Sequence, residues 1–343
     1  MQRCIQIAKN GLGQTRPNPT VGCVIVHKGK IIGEGFTSPY GGSHAEVNAI
    51  MAVKNKALLK DATLYVTLEP CAHYGKTPPC ALLIVRHKIP CIVIGTIDPY
   101  SEVSGKGIQL LKEAGAQVRV GVLEAACREH HRRFLTFHGK KRPFIVLKWA
   151  ETADGFIDVF RAETQLEDAK PNWITNRYSR QYVHKLRAEE QGIIVGTNTV
   201  INDNPSLDVR NWAGQNPVRI VLDRTLRIPL EYTVLDGRLK TIVFTEEYKK
   251  DVGNTIYKKI DFSLNLVQAI CAVLYQENIQ SVLIEGGKQT LQSFIAANVW
   301  DEALVFVGGT SFEKGLKAPI IQGILASEMS FGQDVLKKYK NPC

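Results

Sequence analysis

The chain is poor in several things, and each shortage excludes a class of protein. Its 343 residues include three methionines and four tryptophans, and no apolar run is long enough to span a bilayer. A protein held in a membrane by hydrophobic helices is therefore excluded. The first residues, Met1–Lys9, read as a short amphipathic helix without the apolar core and small-residue cleavage site of a secretion signal. Eight cysteines, at positions 4, 23, 71, 80, 91, 127, 271 and 343, have no disulfide-framework spacing, and several sit in apolar runs. That usage suits a reducing compartment, and the expected location is the cytoplasm. Internal repeats and low-complexity tracts are absent. So is Gly-x-Gly-x-x-Gly, the fingerprint of one large class of dinucleotide sites.

What is present is enough chain for two domains of ordinary size. The formal charge of +10 is unevenly placed: residues 1–142 carry 20 Lys/Arg against 9 Asp/Glu, and the remainder carries 23 against 24. A basic first half suits an anionic partner, either a small phosphorylated substrate or a nucleic acid. The cluster Arg128, Arg132, Arg133, Lys140, Lys141 and Arg142 taken alone reads as a solvated helix face leading into a linker.

Strand and helix patterns alternate along both halves, which argues two α/β domains. In the first half the strands expected are Val21–His27, Lys30–Phe36, Thr63–Leu68, Cys91–Gly95 and Gln117–Val120. The helices expected are His44–Lys56, Pro79–His87, Gly105–Glu113 and Leu123–Phe137. The polar run Gly139-Lys-Lys-Arg-Pro143 is the expected boundary, giving domains 1–142 and 143–343. In the second half Phe144–Ala150, Gly192–Gly196, Val218–Asp223, Thr241–Thr245, Ser281–Ile284 and Glu302–Val307 read as strands. Asn176–Ala188, Thr197–Asn202, Leu264–Glu277 and a segment from Gly287 to about Asn298 read as helices, and Phe160–Lys170 as a loop.

The chemistry concentrates between His44 and Cys80. His44-Ala45-Glu46 opens a helical pattern, a strand follows, and then come Glu69-Pro70-Cys71 and, after eight intervening residues, Cys80. One imidazole and two thiolates are zinc-type ligands, and three protein ligands leave a fourth tetrahedral position for water. Glu46, two residues from the imidazole, is placed to move that water's protons, which is the equipment of metal-assisted hydrolysis. Placing ligands at helix N-termini favours thiolates. His73, inside the loop between the cysteines, is either a fourth ligand of a purely structural site or a residue lining a pocket.

These residues resemble the cytidine-deaminase superfamily. Nucleobase and tRNA editors of that group usually carry Cys-x-x-Cys, whereas here eight residues separate the two thiols. The loop Glu69-Pro-Cys-Ala-His-Tyr-Gly-Lys-Thr-Pro-Pro-Cys80, with Arg16-Pro-Asn-Pro-Thr-Val-Gly22 upstream, resembles the deaminase half of the bifunctional deaminase/reductase family of the riboflavin pathway. That resemblance implies a cytidine-deaminase-like three-layer α/β/α domain acting on a diaminopyrimidinone that carries phosphoribosylamine. It implies zinc on His44, Cys71 and Cys80, proton transfer by Glu46, and pyrimidine contacts from Asn18, His73 and Asp98. Asn18 also fits a Pro-Asn-Pro turn, and Asp98-Pro99 a turn of its own. Asn48 stands where many relatives have His, one turn past the imidazole, and reads as neutral.

The second half follows the reductase half of the same family in order. The matching stretches are Arg142-Pro-Phe-Ile-Val-Leu-Lys148, Thr152-Ala-Asp-Gly155, Trp173-Ile-Thr175, His184-Lys-Leu-Arg-Ala188, Gly196-Thr-Asn-Thr-Val200, Asp203-Asn-Pro205 and Glu285-Gly-Gly287. The resemblance implies a dihydrofolate-reductase-like α/β domain that uses NADPH to reduce a ribosyl group to ribityl. NADPH would be held by Ala150, Trp173, Thr199, Asp203 and the run Gly287, Lys288, Gln289, Thr290, Leu291, Gln292 and Ser293. Arg187, Leu207, Arg210 and Glu285 would hold the ribose phosphate end of the substrate, and Lys148 would polarise the sugar carbonyl. Glycines between a strand and a helix, as at Gly286-Gly287, let a phosphate approach the helix start. Three departures touch this half: Gln191 in place of an acidic residue, Phe156 in place of a basic one, and a long 160–171 loop. The partners expected are a small phosphorylated pyrimidine and a second copy of the chain in a homodimer or homotetramer, with no nucleic acid and no membrane. The rival reading is a base editor or nucleic-acid binder using the basic half as a groove.

Overall fold

A computed structural model describes residues 1–74, 78–99, 104–160 and 171–342. It divides into two compact units, Met1–Lys141 and Arg142–Cys343. No helix among the described residues is long and apolar enough to cross a membrane.

The first unit is built on a five-stranded sheet of β1 (Gly22–His27), β2 (Lys30–Phe36), β3 (Thr63–Leu68), β4 (Cys91–Thr96) and β5 (Gln117–Val120), in the order β2-β1-β3-β4-β5. The hairpin and the β1–β3 pair are antiparallel, and β3, β4 and β5 run parallel. Alternation along the strands sorts their side chains to two faces. Cys23, Ile25, Leu64, Val66, Ile92 and Ile94 pack with apolar residues of α2 (Ala45–Ala52), α3 (Cys80–Arg86) and α4 (Lys106–Glu113). Val24 and Tyr65 face the other way, against Cys4 and Ile7 of α1 (Gln2–Ala8). The result is a three-layer α/β/α unit.

Three expectations are corrected here. The helix from His44 stops at Ala52, where Val53 turns to extended backbone (φ −68°, ψ 117°); the Lys56 ammonium takes the freed carbonyls of Ile50 and Met51, and a 3-10 turn over Lys56–Asp61 follows. The helix expected over Leu123–Phe137 is two helices, α5 (Glu124–His130) and α6 (Arg132–Lys140), broken at His131 (φ −88°, ψ 10°). The break lets two adjacent imidazoles reach inward: His130 Nε2 meets the Thr20 carbonyl at 2.7 Å, and buried His131 Nε2 meets Thr67 Oγ1 at 3.0 Å. The polar boundary run is also shorter than expected, since Gly139 and Lys140 are helical and the chain turns only at Lys141 (φ 54°).

The second unit is built on a nine-stranded sheet. Its strands are β6 (Phe144–Glu151), β8 (Gly192–Gly196), β9 (Val218–Leu222), β10 (Thr241–Thr245), β11 (Thr255–Lys259), β12 (Ser281–Ile284), β13 (Glu302–Val307), β15 (Ile324–Phe331) and β16 (Asp334–Lys340). The order is β11-β10-β9-β8-β12-β6-β13-β16-β15. Strands β11 to β13 run parallel, and β16 and β15 add an antiparallel hairpin. A separate small ribbon pairs β7 (Phe156–Asp158) with β14 (Leu316–Lys317). Helices α9 (Leu266–Gln276) and α10 (Lys288–Ala296) cover one face of the large sheet, through Ile270, Leu274, Leu291 and Phe294. Helices α7 (Arg177–Glu189) and α8 (Thr197–Asp203) supply Val183, Leu186 and Val200 to the cores of the opposite face. Helix α7 starts where expected because the Asn176 side chain accepts from the Tyr178 and Ser179 amides, an N-cap.

The departures in this half find local partners. The buried Phe156 ring lies 4.1 Å from the Lys317 ammonium, so an aromatic here receives a cation instead of supplying one. The Gln191 amide accepts from Gln280 N and donates to the Asn278 carbonyl, a double role no carboxylate could fill. Most of the 160–171 loop lies outside the described residues.

Candidate active sites

In the first unit the turn after β3 and the starts of two helices converge. His44 is the N-cap of α2, Cys71 follows β3, and Cys80 opens α3. Their ligand atoms lie within 4.8 Å of one another. His44 Nδ1 stands 3.3 Å from Cys80 Sγ and 3.6 Å from Cys71 Sγ. The Cys71 thiol is held in place by its partner helix, accepting from the Cys80 amide at 3.3 Å, while the Cys71 carbonyl accepts from Ala81 N. Contact with Cys80 and then with His44 lowers the Cys71 thiol below its ordinary range. Two thiols and an imidazole nitrogen turned toward one point form a donor set that fits a tetrahedral zinc ion.

Glu46, in the first turn of α2, is buried. Burial, and after it the nearby Cys71, raises its carboxyl to about 7. A buried carboxyl beside the ligand trio is placed to move a proton, as a general acid–base requires.

The loop that carries Cys71 is fixed by a residue that sequence reasoning passed over. Glu69 is buried, and its carboxylate accepts from four backbone amides: Asp98 N (3.4 Å), Gly105 N (3.0 Å), Gly107 N (3.0 Å) and Ile108 N (3.2 Å). It caps α4 and ties the segment after β3 to the segment after β4. Gly107 is required there, since a Cβ would fall 2.0 Å from the Pro70 carbonyl. The available signal was an acidic residue beside Pro-Cys at the end of an apolar strand, where an uncompensated charge would be expensive.

Of the expected pyrimidine contacts, Asp98 is buried just past β4, on the same carboxyl-end side of the parallel strands as Cys71. Asn18 is half-buried in a turn closed by Asn18 N to the Thr15 carbonyl and Thr15 Oγ1 to the Asn18 carbonyl. His73 lies exposed in the loop between the two cysteines and is not among the residues that converge on the ligand point. Asn48, read as neutral, is structurally engaged: its amide donates to the Phe36 carbonyl (2.7 Å) and to Ser38 Oγ (3.0 Å).

The second unit holds a cleft of about 1480 Å³ at the carboxyl ends of its parallel strands. Every residue expected to hold cofactor lines it: Ala150, Trp173, Thr199, Asp203 and the run Gly287 to Ser293. So do Arg187, Leu207, Arg210, Glu285 and Lys148. Gly287 is the N-cap of α10 with φ 73°, and Thr199 Oγ1 lies 3.2 Å from where its Cβ would be. That leaves α10 amides at the cleft floor, a favourable place for a phosphate. Arg180 stacks 4.4 Å over the Trp173 ring on the cleft wall.

At the cleft's charged centre the buried Glu285 carboxylate receives both prongs of Arg187, at 2.9 and 2.7 Å, with the Lys148 ammonium 3.9 Å away. Burial alone would raise the Glu285 carboxyl, but Arg187 and then Lys148 hold it down to about 2. Burial lowers the Lys148 ammonium below its ordinary value, with Glu285 opposing. The two arginines expected on a phosphate thus differ in state. Arg187 is buried against Glu285 and also donates to the Asp208 carbonyl (3.2 Å), whereas Arg210 is exposed and paired with Asp208 at 2.6 Å.

Comparison with known proteins adds independent findings. Residues 1–96 match the family model for the cytidine and deoxycytidylate deaminase zinc-binding region, and residues 143–333 match that for the RibD C-terminal domain. The riboflavin biosynthesis protein RibD of Aquifex aeolicus is 40% identical over 324 residues, which span 92% of this chain and 88% of that protein. A diaminohydroxyphosphoribosylaminopyrimidine deaminase/5-amino-6-(5-phosphoribosylamino)uracil reductase of Thermotoga maritima superposes with a TM-score of 0.89 at 37% identity, covering 100% of this chain and 97% of its own. RibD of Acinetobacter baumannii superposes equally, with a TM-score of 0.89 at 33% identity, covering 100% and 98%.

Proposed function

This chain belongs to the RibD family, bifunctional enzymes of riboflavin biosynthesis that join a zinc-type deaminase to a reductase, and from that premise we propose its substrate and the residues that act on it. The substrate is 2,5-diamino-6-(5-phosphoribosylamino)pyrimidin-4(3H)-one. The first unit replaces its 2-amino group by oxygen, and the second reduces the ribosyl group of the product to ribityl, giving 5-amino-6-(5-phosphoribitylamino)uracil. The observation that carries this reading is the His44, Cys71 and Cys80 trio within 4.8 Å beside a buried carboxyl at Glu46.

His44, Cys71 and Cys80 would hold zinc, which would supply the Lewis acidity that lets a water lose a proton near neutral pH. Glu46 takes that proton, delivers one to a ring nitrogen of the pyrimidine, and helps ammonia leave. Asn18, His73 and Asp98 orient the ring. Glu69 keeps the Cys71 loop in register, so the ligand set is formed before substrate arrives.

In the second unit NADPH supplies hydride. Ala150, Trp173, Thr199, Asp203 and the Gly287–Ser293 turn would hold it. Lys148, anchored by Glu285, would give a proton to the ribose ring oxygen as the ring opens to the C1′ imine that hydride reduces; Arg187 fixes Glu285, and Arg210 reaches the phosphate by exchanging Asp208 for it. The protein works on a small phosphorylated pyrimidine and not on nucleic acid, as a homodimer or homotetramer in the cytoplasm. The basic charge of the first half suits the substrate's phosphate.

The test is Glu46→Gln. It should retain zinc and abolish ammonia release, while NADPH is still oxidised when the deaminated compound is offered. Loss of both activities, or of neither, would sink the two-site assignment.

A further inference from the structure

The cleft's substrate side is a loop, residues 203–210, whose shape is unusual. Asn204 (φ 39°) and Leu207 (φ 53°) both adopt left-handed backbone. Asn204 adopts it as the C-cap of α8, which asparagine does readily, whereas for the bulkier Leu207 it is uncommon. The Asn204 side chain accepts from Thr233 N (2.8 Å), and the Asn216 side chain accepts from Val209 N (2.7 Å). Between these two ties lies the Ser206 carbonyl, and its partner is Arg219.

Arg219 sits on β9 in mid-sheet, paired to Ile193 on one side and Thr241 on the other, in the apolar run Val218-Arg-Ile-Val-Leu222. It is 1% exposed and is among the largest fully buried side chains. Its Nε donates to the Ser206 carbonyl (2.9 Å), and its Nη1 to the Thr233 carbonyl (2.9 Å) and Asp236 Oδ1 (2.9 Å). A buried ion pair contributes little to stability over an apolar replacement of similar volume, because desolvation offsets the attraction. Core packing therefore gives no reason for an arginine in this run, while loop geometry does. The tether continues past Ser206: the next carbonyl but one, Asp208, accepts from Arg187 (3.2 Å) and from His184 Nδ1 (3.0 Å), and Arg187 holds Glu285.

We propose that Arg219 is a positioning residue of the reductase, which fixes the 203–210 loop in its substrate-binding shape through the Ser206 carbonyl without itself touching substrate. The proposal rests on the assignment of this cleft to the reductase. Arg219→Met keeps volume and removes every tether. Arg219→Lys keeps the charge beside Asp236 but replaces the two nitrogens that serve the Ser206 carbonyl (Nε) and the Thr233 carbonyl with Asp236 (Nη1) by a single one on a shorter stem.

The experiment is steady-state NADPH oxidation with the deaminated compound by the full-length zinc-loaded enzyme, with ammonia release by the same preparation as the control for the other unit. Arg219→Met should raise the reductase KM for the pyrimidine by about tenfold or more, with kcat changed less than about threefold and ammonia release unchanged. Arg219→Lys should lie between parent and Met, and if the Met variant does not fold, the same KM-against-kcat split in the Lys variant decides. A KM within twofold of the parent, or a fall in kcat alone that tracks loss of folded protein, overturns the proposal. Glu285→Gln is assayed alongside. If it loses reductase activity while the Arg219 variants do not change, Arg219 is wrong and the cleft is right; if it too is unaffected, the cleft assignment itself has failed.

Discussion

Glu285→Gln tests the electrostatics of the cleft most sharply. The carboxylate is the common counter-charge of Arg187 and Lys148, with 7% of its side chain exposed against 12% and 14% for theirs. The substitution keeps the shape, removes the charge and leaves two buried cations facing each other. Two routes give the magnitude. The fall of the Glu285 carboxyl from 4.5 to about 2, at about 1.4 kcal/mol for each tenfold change in proton affinity, corresponds to about 3 kcal/mol. Removing one member of a buried ion pair generally costs about 3–5 kcal/mol. For a unit of this size about 3 kcal/mol lowers the melting temperature by about 6–12 °C. Because the folded-state value is depressed, this stability is present above pH 4.5 and lost as pH falls toward 2, so the full effect is expected at pH 7. Calorimetry of parent and variant should show the second unit melting earlier. NADPH oxidation with the deaminated compound should fall by about 10²-fold, as when one preorganised electrostatic group is lost from an active site, and ammonia release should persist. A variant that melts with the parent and keeps reductase activity within threefold would refute this account of the Arg187–Glu285–Lys148 group.

Three further outcomes are expected. Stripping metal with a chelator should abolish ammonia release and leave NADPH oxidation of the deaminated compound intact, with activity restored by zinc; reductase loss in parallel would contradict independent sites. Arg210→Ala should raise the reductase KM several-fold without changing that of the deaminase, because Arg210 is exposed and its pairing with Asp208 is open to exchange; equal effects on both activities would argue against a phosphate ligand. Burial lowers the His130 imidazole to about 4 and holds His131 well below its ordinary range. Stability from both is therefore complete above pH 6.5 and is lost as pH falls below it, for His130 between 6.5 and about 4 and by about 3 kcal/mol. Melting curves between pH 7 and pH 4.5 should show the decline, and His130→Asn should flatten part of it.

Residues constrained by chemistry were the legible ones. His44, Glu46, Cys71 and Cys80 could be read because few side chains bind zinc and fewer recur at that spacing around a strand. The cleft residues could be read only through family resemblance, since Gly286-Gly287 between strand and helix is a common geometry. What stayed hidden were tertiary tethers. Glu69 looked like part of a motif and is in fact the cap of a helix nearly forty residues on. Arg219 stood in plain view as a charge inside an apolar strand, but its partners lie in loops that sequence does not bring together. The break at His131 is set by where two imidazoles find Thr20 and Thr67, which no helical periodicity records. The terminal hairpin was missed because β15 is exposed along nearly its whole length and carries no inward–outward alternation.

The proposed function has two sites in one chain acting in sequence on one compound. It is tested most directly by giving the purified, zinc-loaded protein the diaminopyrimidinone phosphoribosylamine and following ammonia and NADPH together. One ammonia should appear per substrate, followed by one NADPH oxidised, with no NADPH consumed before ammonia is released. NADPH oxidation without ammonia, or release of ammonia from cytidine or adenosine instead, would contradict it.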